Sequence, residues 1–468
     1  MEVVAGQYVV LKYRPRSDNG CFMRLDLIEN ITVWKIFKVA LPLMISALSS
    51  HFMIILDQLV LARYSIDAMV GASSASHWCA ALQLAAMSTT MIAGSFVGNY
   101  NGAGKYDQAS TPVWQMIWFS ASLFAISVPL AMLLSDICIP NNLKTEGVPY
   151  FKVLMCAVPI HGVYFSLSSF FVAIGRGYLV TISVILANIV NMIVDIVLVF
   201  GYFGIDRYKG SVGAAIGTVA AVLVNTAFLF ICFFRRQIRE KYQTTNFKLR
   251  IDKLKEYLKL GLAGGISHMF ETSAWSVIYY LLANVSKLEA MIQSIAVSVN
   301  LFMAFIVCGL ERGAMAISSN LLGAKKREKI NKVLGKSLYI HLTYVLVIAV
   351  IFKFSPEMVI NSFIRFEIDP EIIERATNIL WFVLLYYLVD GFVWIIAGIL
   401  ESGGDINYML VTLASCLWGI VTIPDYFLYK CEMLHVERTW MLLFVSVAAT
   451  ATILYHRYKS DKWIHIEV

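Results

Sequence analysis

The chain has 468 residues, of which 59% are hydrophobic and only 15% charged, and its mean hydropathy is +0.70. A soluble core needs far less apolar surface, so the composition excludes a soluble globular protein and predicts an integral, multi-pass membrane protein. The formal net charge of +7 follows from loop topology and calls for no nucleic-acid partner.

Apolar runs of about 20 residues, the length that crosses a bilayer, fall near 34–62, 68–96, 113–134, 150–174, 179–203, 212–234, 257–284, 290–317, 337–363, 376–400, 409–429 and 439–456. The ten-residue alternating segments of an outer-membrane barrel are absent. The expected fold class is therefore an all-α membrane protein with about twelve transmembrane helices. Residues 1–33, with Lys12, Arg14, Arg16 and Arg24, are polar and mixed, without the apolar stretch of a cleavable signal, so the first span is expected to direct insertion.

That span contains FMIILDQLVLA (52–62), in which Asp57 is the lone carboxylate. An ionised acid in hydrocarbon costs at least about 2.5 to 3.5 kcal/mol, which makes it a functional candidate. Span 5 reads NIVNMIVDIVLVFG, placing Asn191 and Asp195 one turn apart on one face. Span 6 opens with VGAAIGT and Thr218. At 1.5 Å per residue, Asp57 and Thr218 lie roughly 9 Å and Asp195 roughly 12 Å from the outer ends of their spans. Four oxygen-bearing side chains at similar depth suit a small hard cation or a shared proton, and two adjacent carboxylates require one or the other.

The basic stretches RRQIREK and KLKEYLK around 235–259 divide the spans six and six. The expected organisation is a cytoplasmic N-terminal segment (1–33), an N-terminal lobe (34–234), a cytoplasmic linker (235–256), a C-terminal lobe (257–456) and a cytoplasmic tail (457–468). FKVALPLMI (37–45) resembles LKLGLAGGI (258–266), and VGNYNGAGKYDQ (97–108) resembles SSNLLGAKKREK (318–329), both displaced by 221 residues. One displacement fitting two matches predicts two pseudo-symmetric six-helix lobes, arranged as parallel repeats because six is even.

In the second lobe, GGISHMFETSAW on span 7 carries His268 and Glu271, and LLYYLVDGFVW on span 10 carries Asp390. Both acids fall near the bilayer midplane on the helical rise, with His268 as a possible support for Glu271. Asp369 in the acidic segment FEIDPEIIER is expected to begin a helix, His51 and His161 to be satisfied by neighbours, and Arg312 to pair with Glu311 or nearby backbone. Glu401 and Asp405 are expected in a turn broken by Gly403 and Gly404, while Asp425 in SCLWGIVTIPD has no assigned role. The excess of Lys and Arg in the termini and alternate loops places both termini in the cytoplasm. The eight cysteines are dispersed, without CxxC spacing, and most read as packing residues, with Cys138 and Cys431 the two placed to face outside. No GxxxxGK[ST], HExxH or G-x-S-x-G motif occurs, so no enzyme is expected.

In this order and spacing, ALPLMISALS, ILDQLVLARYSIDAMVGAS, VGNYNGAGK, NIVNMIVDIVLVFGYFG, VGAAIGT and SNLLGAKK resemble the multidrug and toxic compound extrusion (MATE) transporters over residues 30 to 460. The resemblance implies a secondary antiporter exporting organic, often cationic, compounds in exchange for H+ or Na+, by alternating access of two lobes. It implies proton or sodium binding at Asp57, Asn191, Asp195 and Thr218, or at Glu271 and Asp390. No cofactor beyond the coupling ion is implied. The expected setting is a monomer in the plasma (inner) membrane, with the lipid bilayer and small organic solutes as its partners. Alternative readings are a flippase of lipid-linked saccharides or other amphiphiles, a metabolite carrier of the same fold, and a nontransporting scaffold, which the buried acids disfavour.

Overall fold

Thr32 starts the first membrane helix, α1 (Val33–Tyr64), its hydroxyl accepting the Lys35 amide at 3.2 Å. Ser65 then ends α1 and caps α2 (Ile66–Gly102), accepting the Asp67 amide at 3.2 Å. A second hairpin repeats this turn: Ser286 separates α7 (Ile251–Val285) from α8 (Lys287–Gly323) and accepts the Glu289 amide at 3.1 Å. Both serines are extended, at φ −161° and −162°. They lie 221 residues apart, the displacement read from the sequence repeats.

The computed structural model describes residues 30–139, 143–204, 210–363, 370–460 and 462–466. The basic residues expected before position 30, Asp369 and the side chain of His51 lie outside the described residues. After α2 come α3 (Tyr106–Cys138), α4 (Lys144–Ala173), α5 (Gly177–Val199) and α6 (Ser211–Phe233). The second half continues after α8 with α9 (Arg327–Phe354), α10 (Pro370–Ser402), α11 (Ile406–Lys430) and α12 (Val436–Lys459). Among the described residues, 11 helices are long and apolar enough to cross a membrane. The remaining one, α7, is more polar because its first turns read IDKLKEYLK.

The segment between the halves is a short helix, Arg236–Tyr242, followed by extended chain tied to α3. Trp114 Nε1 donates to the Thr244 carbonyl at 2.8 Å, Trp118 Nε1 to Phe247 at 2.9 Å, and Gln115 binds Lys248 and Arg250 backbone at 2.9 Å each. The last residues of the expected linker, from Ile251, already belong to α7.

Apolar burial divides by lobe at one end of the molecule and joins the lobes at the other. One cluster holds only first-half residues, among them Leu61, Leu154, Val199 and Ala215. Another holds only second-half residues, among them Ile278, Val383 and Trp440. Two further clusters mix the halves: Ile36, Val39 and Met44 of α1 with Leu310 and Ile317 of α8, and Phe96 of α2 with Tyr257 of α7 and Ala316 of α8. The mixed clusters lie toward the side that bears the termini, so the two six-helix bundles meet there and separate toward the opposite side.

Their closest crossing is reciprocal. A Cβ on Gly102 would strike the Asn320 carbonyl, and one on Gly323 would strike that of Asn99, so only glycine permits this approach of α2 and α8. Asn99 Nδ2 donates to the Ser402 carbonyl ending α10 at 2.9 Å, and Asn320 Nδ2 to the Ala173 carbonyl ending α4 at 2.8 Å. Asn101 Nδ2 bridges directly to Asn320 Oδ1 at 2.6 Å.

Candidate functional site

Asp57 faces the interior of the first lobe, 8% exposed, where α5 and α6 present Asn191, Asp195 and Thr218. Asn191 and Asp195 are each 1% exposed. Asn191 Nδ2 donates to Asp195 Oδ2 at 3.2 Å. The Thr218 hydroxyl stands 3.4 Å from Asp57 Oδ2 and 3.1 Å from the Ala214 carbonyl; with one proton it serves one of them at a time. The two carboxyl groups interact directly, and Asp57 Oδ1 and Asp195 Oδ1 each lack a hydrogen-bond partner among the described residues. Gly217 makes this possible, because a Cβ there would occupy the position of Asp195 Oδ1. Two buried carboxylates at close quarters cannot both stay ionised without a proton or metal cation between them. Their oxygens, with those of Asn191 and Thr218, are hard donors suited to such a cation.

The second lobe encloses a cavity between α7, α10, α11 and α12, lined by Ser267, Glu271, Trp275, Asp390, Trp394 and Leu417 among others. Its volume is about 40 Å³, room for about three waters or a small cation and too little for an organic solute in this conformation. Asp390 is held by its own helix: Tyr386 donates its hydroxyl to Oδ1 at 3.3 Å and Trp394 Nε1 to Oδ2 at 3.1 Å. Glu271 faces the same cavity and interacts electrostatically with Asp390. His268 Nδ1 lies 3.4 Å from Glu271 Oε2, one turn back on α7.

On the terminal side of Glu271, His268 also feels Glu311 of α8 and Glu401 of α10. Arg312 acts electrostatically on both glutamates and on Tyr164 of α4. It forms no ion pair within 4 Å among the described residues, so of the two partners expected for it, Glu311 or nearby backbone, Glu311 is reached only at longer range. Of the two acids expected in the turn, Asp405 does sit after α10, ion-paired with Arg457 at 2.7 Å and in contact with His465 at 3.1 Å, whereas Glu401 is still helical, within the last turn of α10. His161 bonds through Nδ1 to the Ala157 carbonyl at 3.2 Å. The described cysteines are all free: Cys79, Cys232 and Cys416 are buried and Cys431 exposed.

Residues not anticipated from sequence include Gly217, Tyr386, Trp394, Trp275 and the Glu311 and Glu401 pair. Tyr386 and Trp394 were detectable, since they stand four residues either side of Asp390 and thus share its helix face. Gly217 carries no such signal, because its role depends on which helix approaches it.

Among the described residues, twelve long helices, eleven of them long and apolar enough to cross a membrane, form two six-helix bundles with buried acids in each, the build of an all-helical polytopic transport protein. Residues 42–197 and 265–427 match the family model MatE, and the chain belongs to the MATE family of transporters. The multidrug export protein MepA of Staphylococcus aureus (strain bovine RF122 / ET3-1) is 25% identical over 372 residues, 77% of this chain and 79% of MepA. Among solved structures, the eukaryotic MATE transporter AtDTX14 superposes with a TM-score of 0.79 at 17% identity, covering 92% of this chain and 96% of that one. An outward-facing multidrug resistance MATE transporter of the MOP superfamily superposes at 0.82 and 14% identity, covering 97% and 100%.

Proposed function

We propose that the protein is a secondary antiporter that exports small organic, often cationic, compounds in exchange for inward H+ or Na+. Residues 34–234 and 257–456 act as its two rocking lobes, both termini lie in the cytoplasm of a plasma (inner) membrane, and the unit is a monomer. One observation carries this reading: each lobe brings two acids together within its membrane helices, Asp57 with Asp195, both buried, and Glu271 with Asp390, half-buried around a cavity, where uncompensated charge is costly. A scaffold would gain nothing from such groups. Cation entry at either pair neutralises charge, so it favours one lobe arrangement over the other; by linkage, bound solute must alter ion affinity by the same factor. Packing supports the direction, since the lobes are sealed on the terminal side and part toward the other, the arrangement expected when the site opens outward.

The acidic character of both pairs favours cationic solutes over the phosphorylated headgroups a lipid-linked saccharide flippase must hold. The test is ethidium transport in proteoliposomes under separate pH and sodium gradients. The unmodified chain should transport under at least one gradient, and Asp57→Asn and Glu271→Gln should each slow it about tenfold or more, as expected for coupling energies of 1 to 3 kcal/mol. Unaltered rates in both variants would sink the coupling assignment. No dye transport by the unmodified chain would favour the flippase.

A further inference from the structure

Asp425 belongs to neither acid pair. It is fully buried in α11, one turn after Val421, while its neighbour Thr439 precedes Trp440, both Val421 and Trp440 belonging to the second lobe's own apolar cluster. Neither of its oxygens has a hydrogen bond of ordinary geometry, and the same is true of the Thr439 hydroxyl on α12. That hydroxyl is the one polar side chain that reaches the carboxyl; no charged side chain among the described residues acts on it from any neighbouring helix. A carboxyl and a single hydroxyl thus meet inside hydrocarbon-like packing, where an ionised acid with no cation beside it is costly.

Its register is also informative. Asp195 is the nineteenth residue of α5 and Asp425 the twentieth of the corresponding helix α11. The extra residue is absorbed by a π-helical turn over Leu417–Thr422, where the Thr422 hydroxyl takes up the Leu417 carbonyl at 3.2 Å, and Pro424 follows. Such turns are costly, are concentrated at functional positions and mark places where a helix can shift register. Counted from the helix starts, Asp425 thus stands on α11 close to where Asp195 stands on α5, and Ile278, 221 residues after Asp57, is an apolar member of the second lobe's cluster. Thr439 stands four residues before Leu443, which lines the Glu271 and Asp390 cavity, so the carboxyl lies about one helical turn, roughly 6 Å, beyond it.

We propose that Asp425 is a proton-binding site of the second lobe, the counterpart of Asp195 in the first, which releases its proton toward the Glu271 and Asp390 cavity and regains it during transport. One carboxylate and one hydroxyl are too few oxygens for a metal cation, whereas a single proton neutralises the acid completely. Release leaves a carboxylate with the Thr439 hydroxyl as its donor and passes the proton to the cavity. The cycling part rests on the antiport reading; the proton site does not.

Infrared difference spectroscopy of the full chain in lipid nanodiscs tests it, with acid-to-alkaline steps and with ethidium addition. The unmodified protein should show a protonated-carboxyl C=O band that shifts in D2O and changes amplitude on both perturbations. Asp425→Asn should lose that band, whereas Glu271→Gln and Asp390→Asn keep it, and Thr439→Val should move it to higher frequency. A spectrum of Asp425→Asn that superimposes on the unmodified one, or a band unmoved by either perturbation, overturns the proposal. Should Asp425→Asn not fold, Thr439→Val carries the test, and an unshifted band refutes it. If the unmodified chain shows no ion-driven ethidium flux, the antiport reading fails, while the pH-step band still decides the proton site.

Discussion

Gly217 shows how one missing methyl permits the first-lobe cluster. Asp195 can turn its Oδ1 against α6 only because position 217 has no Cβ. Gly217→Ala is therefore expected to push the carboxyl off Asp57 and Asn191. Overpacking should cost about 1 to 3 kcal/mol, read as a lowered unfolding midpoint in detergent, together with loss of gradient-driven dye transport. An unchanged midpoint with full transport would show that the contact is dispensable. The acids themselves were legible from sequence, because a lone Asp in an apolar run is conspicuous without any structure. The glycine was not, because VGAAIGT contains two glycines and nothing local tells which one meets a carboxylate.

Helix ends carry most of the polar fastening. Arg375, near the start of α10, binds Glu289 of α8 at 2.8 Å and Glu437 of α12 at 2.8 Å, while Glu289 also accepts the Val436 amide at 2.7 Å. Three helices of the second lobe are thereby tied at one end around a glutamate only 4% exposed. Arg375→Met should leave that glutamate buried without its cation and destabilise the protein by about 3 kcal/mol, measured by thermal unfolding in detergent. A shift within error would mean that the His435 ring, 3.7 Å away, compensates. In the sequence FEIDPEIIER is legible as an acidic segment at the start of a helix, but this network is not, since its partners come from residues 289 and 437 and only packing brings them together.

At the scale of the molecule, two lobes related by a displacement of 221 residues touch through Asn99, Gly102, Asn320 and Gly323 in a nearly two-fold manner. If rocking transports solute, this junction must open once per cycle. Cysteines at positions 101 and 320, joined by a short bifunctional thiol reagent on a background lacking exposed Cys431, should halt dye transport, and a cleavable version should restore it on reduction. Continued transport by the cross-linked protein would exclude opening at this side.

Sequence by itself determined the helical membrane class, the two halves and which polar residues lie within spans. These are one-dimensional signals: the length of an apolar run, the placement of Lys and Arg, and a repeated string of residues. The tertiary structure decided which polar groups meet. Asp57 and Thr218 are 161 residues apart in the chain, and their contact depends on how each helix is rotated about its axis, which packing against neighbouring helices sets. Asp425 illustrates the same division: its presence in TIPD is plain in the sequence, but its complete burial, its oxygens without ordinary hydrogen bonds and the π-helical turn before it exist only once α11 is packed among its neighbours.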